Sequence, residues 1–131
     1  MQQDLLSDLL TRIRNGYNAK LLSIIVLNSK FSLLILNLLL RLGFISSFVI
    51  ISKQHVLVFL LYYRNQGAVR YINRVSKSNN RIFIKKAGLL RYTSKSGRSN
   101  GFYILSTVFG LLTDLEAIGY GIGGEILFEV G

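Results

Sequence analysis

Cysteine is absent from this 131-residue chain, and so is proline. Without a thiol there is no disulfide, no thiolate-held metal and no cysteine nucleophile. Histidine occurs once, at His55, too few for an ordinary zinc site, which draws mainly on Cys and His. Acids are scarce and badly spread. The six are Asp4, Asp8, Asp114, Glu116, Glu125 and Glu129, all near the two ends. All 16 Lys and Arg lie between Leu9 and Thr113, where no acid occurs, so the net charge of +10 sits in an acid-free middle. Soluble surfaces usually mix the two signs. A long stretch of one sign repels itself unless a polyanion neutralises it. Two partners answer that description: nucleic acid, or an anionic membrane surface.

Long apolar runs are also missing, although the mean hydropathy is +0.42 and half the residues are hydrophobic. A spanning helix needs about 20 mostly apolar residues. Lys30, Arg41, Lys53 and Arg64 cut the apolar stretches into shorter pieces. The longest charge-free run of the basic section, residues 99–113, is interrupted by Ser99, Asn100, Gly101, Ser106, Thr107 and Gly110. Asp4 and Asp8 stand where a secretory signal would carry basic residues. The apolar content does suffice for a core, in one compact domain or two small ones.

What is present alternates helix and strand signals. Residues 4–16 have Leu5, Leu6, Leu9, Leu10 and Ile13 at helical spacing, with Asp4 as a cap and Asp8–Arg12 as an i,i+4 pair. Arg12 and Arg14 then fall in the last turn, before Gly16, where the helix dipole favours cations. Residues 21–27 predict a buried strand. Asn28 or Ser29 caps a second helix running to Leu42 and stopped by Gly43. That helix is apolar nearly all round, so both of its sides are expected to be covered. Residues 44–52 and 55–63 predict a hairpin, with His55 a surface polar group at a strand start. A boundary is expected at Gln66-Gly67, giving domains 1–66 and 67–131.

Beyond it, residues 68–75 and 81–85 are short basic strand candidates, with a turn at 76–80. Residues 91–101, rich in Ser, Gly, Lys and Arg, predict a basic loop. Residues 102–107 predict a strand. Thr113-Asp114-Leu115-Glu116 is a capping box for a short helix ending near Gly119, and residues 126–130 form the last strand.

Two apparent chemical motifs dissolve on inspection. Residues 119–124 match GxGxxG, but they follow a short helix and precede a strand, the reverse of a dinucleotide site, so a tight turn is expected. Thr113, Asp114 and Glu116 are what a helix N-terminus wants for its own sake, and no nucleophile–base pair accompanies them. The basic residues, in contrast, are interleaved with Tyr62, Tyr63, Tyr71, Phe83, Tyr92, Phe102 and Tyr103. Basic side chains neutralise phosphates, and aromatic faces stack on unpaired bases or ribose.

At Thr11-Arg12-Ile13-Arg14-Asn15-Gly16 the chain resembles the small-subunit ribosomal protein eight family. The resemblance continues in order through Asn28-Ser29-Lys30, Gly43-Phe44-Ile45, Arg74-Val75-Ser76-Lys77 and Arg81-Ile82-Phe83. It ends on Ser106-Thr107-Val108-Phe109-Gly110, then Leu111-Leu112-Thr113-Asp114 and Gly123-Gly124-Glu125. It implies an α+β fold of two small α/β domains, the first helix-rich with a small sheet, the second mostly β with a short helix. It further implies a structural, non-enzymatic protein that binds the central domain of small-subunit ribosomal RNA, organises a helical junction during assembly, and meets neighbouring small-subunit ribosomal proteins. No cofactor, metal, small-molecule substrate, catalytic residue or stable homo-oligomer is expected.

The RNA-contacting residues expected in the first domain are Thr11, Arg12, Arg14, Asn15, Ser29 and Lys30. In the second they are Arg74, Lys77, Arg81, Lys85, Lys86, Ser106, Thr107, Phe109, Gly124 and Glu125. There are departures from the family pattern. Val108 and Phe109 stand where the family usually has Ser and Lys, so Phe109 either packs on a base or ribose, or joins the core of the second domain. Asn79-Asn80 lies near the family's Pro-Gly, and the second helix carries Leu36 and Leu38 to Leu40 instead of acids. This drift toward Leu, Ile, Phe, Asn and Lys, without an import presequence, points to an organellar ribosome, a mitochondrial one first, with plastid or bacterial cytoplasm as alternatives. The competing class is a small basic membrane-associated protein.

Overall fold

The computed structural model describes residues 2–95 and 101–131. The fold is α+β, helix-rich in the N-terminal half and mostly strand in the C-terminal half. Contacts divide the chain into two compact units, Met1–Arg70 and Tyr71–Gly131.

The first unit runs α1 (Gln2–Asn18), β1 (Ser23–Leu27), α2 (Lys30–Leu42), β2 (Ile45–Ile50) and β3 (His55–Leu60). A short ladder follows, β4 (Tyr62–Tyr63) with β5 (Gln66–Gly67). The three longer strands form an antiparallel sheet in the order β1-β3-β2. Alternation decides its faces. Ile24, Val26, Val56, Val58 and Leu60 point into the core, while Ile25, Leu27 and Phe59 stay exposed. The helices supply Leu6, Leu9, Leu10 and Ile13 from α1 and Ile35, Leu36, Leu38 and Leu39 from α2, all buried. Each such side chain contributes about 1.5–3 kcal/mol by leaving water.

Helix α1 overruns its expected stop. Gly16 lies inside the helix because the sheet passes close by: a Cβ there would stand 2.6 Å from Ile24 Cγ2 and 3.0 Å from Leu60 Cδ1. Arg12 and Arg14 are therefore not in the last turn, and Asp4 lies within the first turn, not at the cap. Helix α2 begins and ends as expected, with Ser29 Oγ accepting from the Ser32 amide and Gly43 in the left-handed conformation, φ 83°. The expectation that both its sides are covered is overturned. Leu34, Asn37, Leu40 and Arg41 form an exposed side, and one face alone is buried.

The second unit contains β6 (Ile72–Arg74), β7 (Phe83–Ile84), α3 (Lys86–Lys95), β8 (Phe102–Thr107), β9 (Gly110–Thr113), α4 (Asp114–Tyr120) and β10 (Gly124–Val130). Its sheet has the order β6-β10-β8-β9, with β7 also pairing with β10. The strand candidates at 68–75 and 81–85 shorten to β6 and β7, which pair with opposite ends of β10. The expected basic loop at 91–101 is corrected as well: residues 91–95 belong to α3, and residues 96–100 lie outside the described residues. Composition misled here because α3 is held by packing. Leu89 is fully buried in a cluster with Tyr103, Leu105, Leu112, Ala117 and Ile126, and Tyr92 packs against Tyr103 at 5.0 Å between ring centroids. The capping box at Thr113 and Glu116 is present in both directions. Gly121, in the former GxGxxG string, is the left-handed cap that ends α4.

Candidate nucleic-acid interface

In the first unit, Thr11, Arg12 and Asn15 are exposed on α1 and Arg14 is half-buried. Arg12 is held in place by two bonds, Nε to Asp8 Oδ2 at 2.9 Å and Nη1 to the Ile25 carbonyl at 3.0 Å. Arg12 and Asn15 line an open groove of about 630 Å³ together with Gly16, Leu21, Ser23 and Ile25. Ser29 is engaged in the fold, since its hydroxyl caps α2 and donates to Ser32 Oγ at 2.9 Å. Lys30 is exposed in the first turn of α2. A cation gains nothing from the helix dipole there, whereas an approaching phosphate would be attracted by both.

In the second unit the geometry is tighter. Arg81 donates Nε to Glu125 Oε2 at 2.9 Å and Nη2 to Glu125 Oε1 at 2.7 Å. The Arg81 hydrogen bonds hold the Glu125 carboxyl below its ordinary range, against an upward push from burial, and the Arg81 charge, Ser76 and Arg74 add to the lowering. The pairing raises Arg81 in turn. Glu125 is thus a buried anchor that fixes Arg81, whose guanidinium also lies 5.2 Å from the centre of the Phe83 ring. Arg74 donates Nε to the Ser76 carbonyl at 2.9 Å, and Lys77 sits exposed in a turn bridged to Asn80.

Ser106 and Thr107 end β8, and Val108-Phe109 form the tip of the hairpin into β9. Gly110 follows at φ 98°, a conformation that glycine adopts without strain. The Thr107 hydroxyl braces this tip, donating to the Gly110 carbonyl at 2.8 Å and accepting from the Phe109 amide at 3.1 Å. Ser106 is exposed beside it. Phe109 is 64% exposed, which overturns the reading that places it in the core. Its ring packs instead on Tyr120, also 64% exposed, at 5.4 Å and 54°.

A second open groove, about 550 Å³, lies beside this tip and is lined by Phe83, Lys85, Lys86, Val108 and residues 121–124. Gly123 and Gly124 let the chain pass: a Cβ on Gly123 would collide with the Ile84 carbonyl oxygen, and one on Gly124 with that of Ser106. The second unit therefore gathers Lys85, Lys86, Ser106, Thr107 and Gly124 into one neighbourhood. Among the described residues, neither lysine has a carboxylate partner. Tyr120 escaped the sequence reading, because no local period shows that the end of α4 meets the β8–β9 tip. Its only signal was an aromatic residue immediately before a glycine turn.

Among the described residues no group of His, Cys, Asp and Glu is arranged to hold a metal ion, and no helix is long and apolar enough to cross a membrane. The family model for ribosomal protein S8 matches residues 4–130, nearly the full length. The chain belongs to the ribosomal protein S8 family. It is 38% identical to the small ribosomal subunit protein uS8m of Acanthamoeba castellanii over 126 residues, 96% of this chain and 98% of that one. It is 38% identical to uS8 of Buchnera aphidicola over 130 residues, covering 98% and 97%, and 36% identical to uS8 of Rickettsia typhi over 131 residues, covering 97% and 96%. Membership of the S8 family gives the chain a structural role in the small ribosomal subunit, in a family of structural proteins rather than enzymes.

Proposed function

We propose that this S8-family chain binds the central domain of small-subunit ribosomal RNA, organises a helical junction there, and so supports subunit assembly. Neighbouring small-subunit ribosomal proteins complete its surroundings, and it has no catalytic step of its own. The observation that carries the reading is the second-unit groove, where Lys85 and Lys86 stand without carboxylate partners among the described residues, beside the exposed Ser106. Lysines supply phosphate neutralisation, and hydroxyls at a strand end suit the 2′-OH groups and base edges of a shallow RNA minor groove. In the first unit, Arg12, Asn15 and Lys30 offer a second basic contact. Glu125 serves the site by holding Arg81.

The proposed location is the mitochondrial ribosome, supported by the similarity to uS8m of Acanthamoeba castellanii and by the proline-free, Leu-rich composition. Cofractionation with mitochondrial small subunits in a gradient tests this location.

The RNA reading is tested by titrating the full chain with small-subunit ribosomal RNA at several salt concentrations. Each phosphate neutralised steepens the slope of log K against log salt by about 0.7 to 0.9. Joint replacement of Lys85 and Lys86 by Gln is expected to flatten it by up to about 1.4 to 1.8, two such contacts. An affinity that hardly changes between low and moderate salt would overturn the proposal.

A further inference from the structure

The tip of the β8–β9 hairpin is an unusual place for large apolar side chains. Val108 is 88% exposed and Phe109 64%, on a loop with no burial to gain from the fold. Thr107 and Gly110 fix that loop rigidly, through the two hydroxyl bonds and the positive φ described above. Tyr120 comes to the same spot from the end of α4, where the left-handed Gly121 terminates the helix. The two rings are therefore held by two separate backbone turns, one at each side. Val108 and Gly121, each adjacent in sequence to one of the rings, line the groove that also holds Lys85 and Lys86. The acids of the neighbourhood are engaged in the fold: Glu125 with Arg81, Glu116 with the Thr113 amide. A pre-formed aromatic surface beside two lysines that have no carboxylate partner among the described residues, with no acid among the described groove residues, suits a polyanion that carries flat rings.

We propose that Phe109 and Tyr120 form a paired stacking platform that takes one unpaired RNA base, while Lys85 and Lys86 hold the phosphates flanking it. This rests on the RNA-binding reading and adds to it a ligand class, a looped-out or single-stranded nucleotide. Stacking is available to every base, because each has a π-face, and hydrogen-bond readout is not required. Phe109 offers no polar atom, so its contribution is stacking alone. Tyr120 adds a phenol at the rim, where a phosphate oxygen or a 2′-OH can accept a hydrogen bond from it.

The test uses the full chain and two probes. The first is a twelve-nucleotide oligoadenylate carrying one central 2-aminopurine, whose fluorescence is quenched on stacking. The second is unlabelled small-subunit ribosomal RNA. The wild-type chain is expected to bind the oligonucleotide and quench the probe. Phe109→Leu and Tyr120→Leu each keep apolar bulk but lose the ring. Each is expected to weaken oligonucleotide binding about 5- to 100-fold and abolish quenching, with the melting temperature unchanged, since both side chains are largely exposed. Tyr120→Phe, which restores a ring, recovers the quenching. Leu115→Ala removes another exposed apolar side chain of the same unit and leaves both readouts unchanged. Ribosomal RNA bound with normal salt dependence, but quenching unaffected by the ring variants, would overturn the platform and leave the RNA reading standing. Failure of the wild-type chain to bind either RNA would overturn both. Loss of a ribosomal-protein contact in the ring variants, with quenching intact, would reassign the rings to a protein partner and also overturn the platform.

Discussion

The two units solve the problem of a core differently. In the first, apolar side chains do nearly everything; Ser32 is its one buried polar residue among those described, and the buried Tyr17 adds a hydroxyl that donates to the Phe44 carbonyl and accepts from the Leu61 amide. In the second, Ser76, Thr113, Asp114 and Glu125 are all buried. These polar groups hold local geometry. Ser76 Oγ accepts from the Ile82 amide at 2.8 Å, Thr93 donates to Asp114 at 2.9 Å, and Glu125 grips Arg81. Apolar packing is non-directional, whereas hydrogen bonds fix angle as well as distance. The unit with the polar core carries the groove beside Lys85 and Lys86, the braced hairpin tip and the Phe109–Tyr120 pair. The first unit carries Arg12, Arg14, Lys30 and Arg41 on its helices and Lys20, Lys53, Arg64 and Arg70 outside them, over a mostly aliphatic base.

The largest expected effect tests the aliphatic half of that contrast. Leu38→Ala removes a nearly fully buried side chain of α2 and should cost about 2–5 kcal/mol in urea unfolding. Hydrogen exchange should then speed up in α1, α2 and β1–β3 while the second unit keeps its protection; equal loss in both units would dissolve the contrast. Next comes Gly123→Ala, whose new Cβ meets the Ile84 carbonyl and lies 2.8 Å from Lys85 Cα. It should destabilise the second unit by about 1–3 kcal/mol as an overpacking change and weaken RNA binding with it. Unchanged affinity would detach β7 and Lys85 from the interface.

Thr107→Ala deletes both hydroxyl bonds at the hairpin tip and should cost about 0.5–1.5 kcal/mol in stability. A larger proportional loss in RNA affinity than in stability would show that the tip geometry serves binding. The smallest effect is a pH dependence. The folded Glu125 carboxyl lies below its ordinary value of 4.5. The unfolded chain therefore takes up this proton first as the pH falls, so the stabilisation is complete above the ordinary carboxylate range and disappears through the lowered folded value. The wild-type melting temperature should decline on that acid limb, and Glu125→Gln should flatten the decline. An identical acid limb in the variant would remove the pair from the account.

Much of this architecture is written in local signals. Ser29 and Gly43 bracket α2, and Thr113 and Glu116 open α4, whereas the run at 21–27, which reads as a buried strand, buries only Ile24 and Val26 in β1 and leaves Ile25 and Leu27 exposed. The misses share a cause: each depends on contacts distant in sequence. Gly16 reads as a stop but is a close-packing residue against Ile24 and Leu60. Residues 91–95 read as loop because Ser, Lys and Arg dominate their surroundings, yet α3 is fastened at Leu89 and Tyr92. At the candidate interface, charge and resemblance singled out Lys85, Lys86 and Ser106, which the fold of the second unit leaves exposed. The commitment of Glu125 to Arg81, and the meeting of Phe109 with Tyr120, were not, because pairings of 44 and 11 positions leave no period to detect.

The bond from Arg12 to the Ile25 carbonyl has a consequence for the chain before it meets any partner. β1 borders the first sheet, with β3 on one side and, among the described residues, no strand on the other. Leu22 and Asn28 bond toward β3, at Leu60 and Gln54, so the Ile25 carbonyl faces the open side. An apolar strand border of this kind, carrying exposed Ile25 and Leu27, is a template on which a second copy can add and start a fibril. The guanidinium occupies the acceptor at its midpoint and brings a positive charge to the same place. A newly made copy, still waiting for its ribosome, thus carries its own guard against sticking to its siblings.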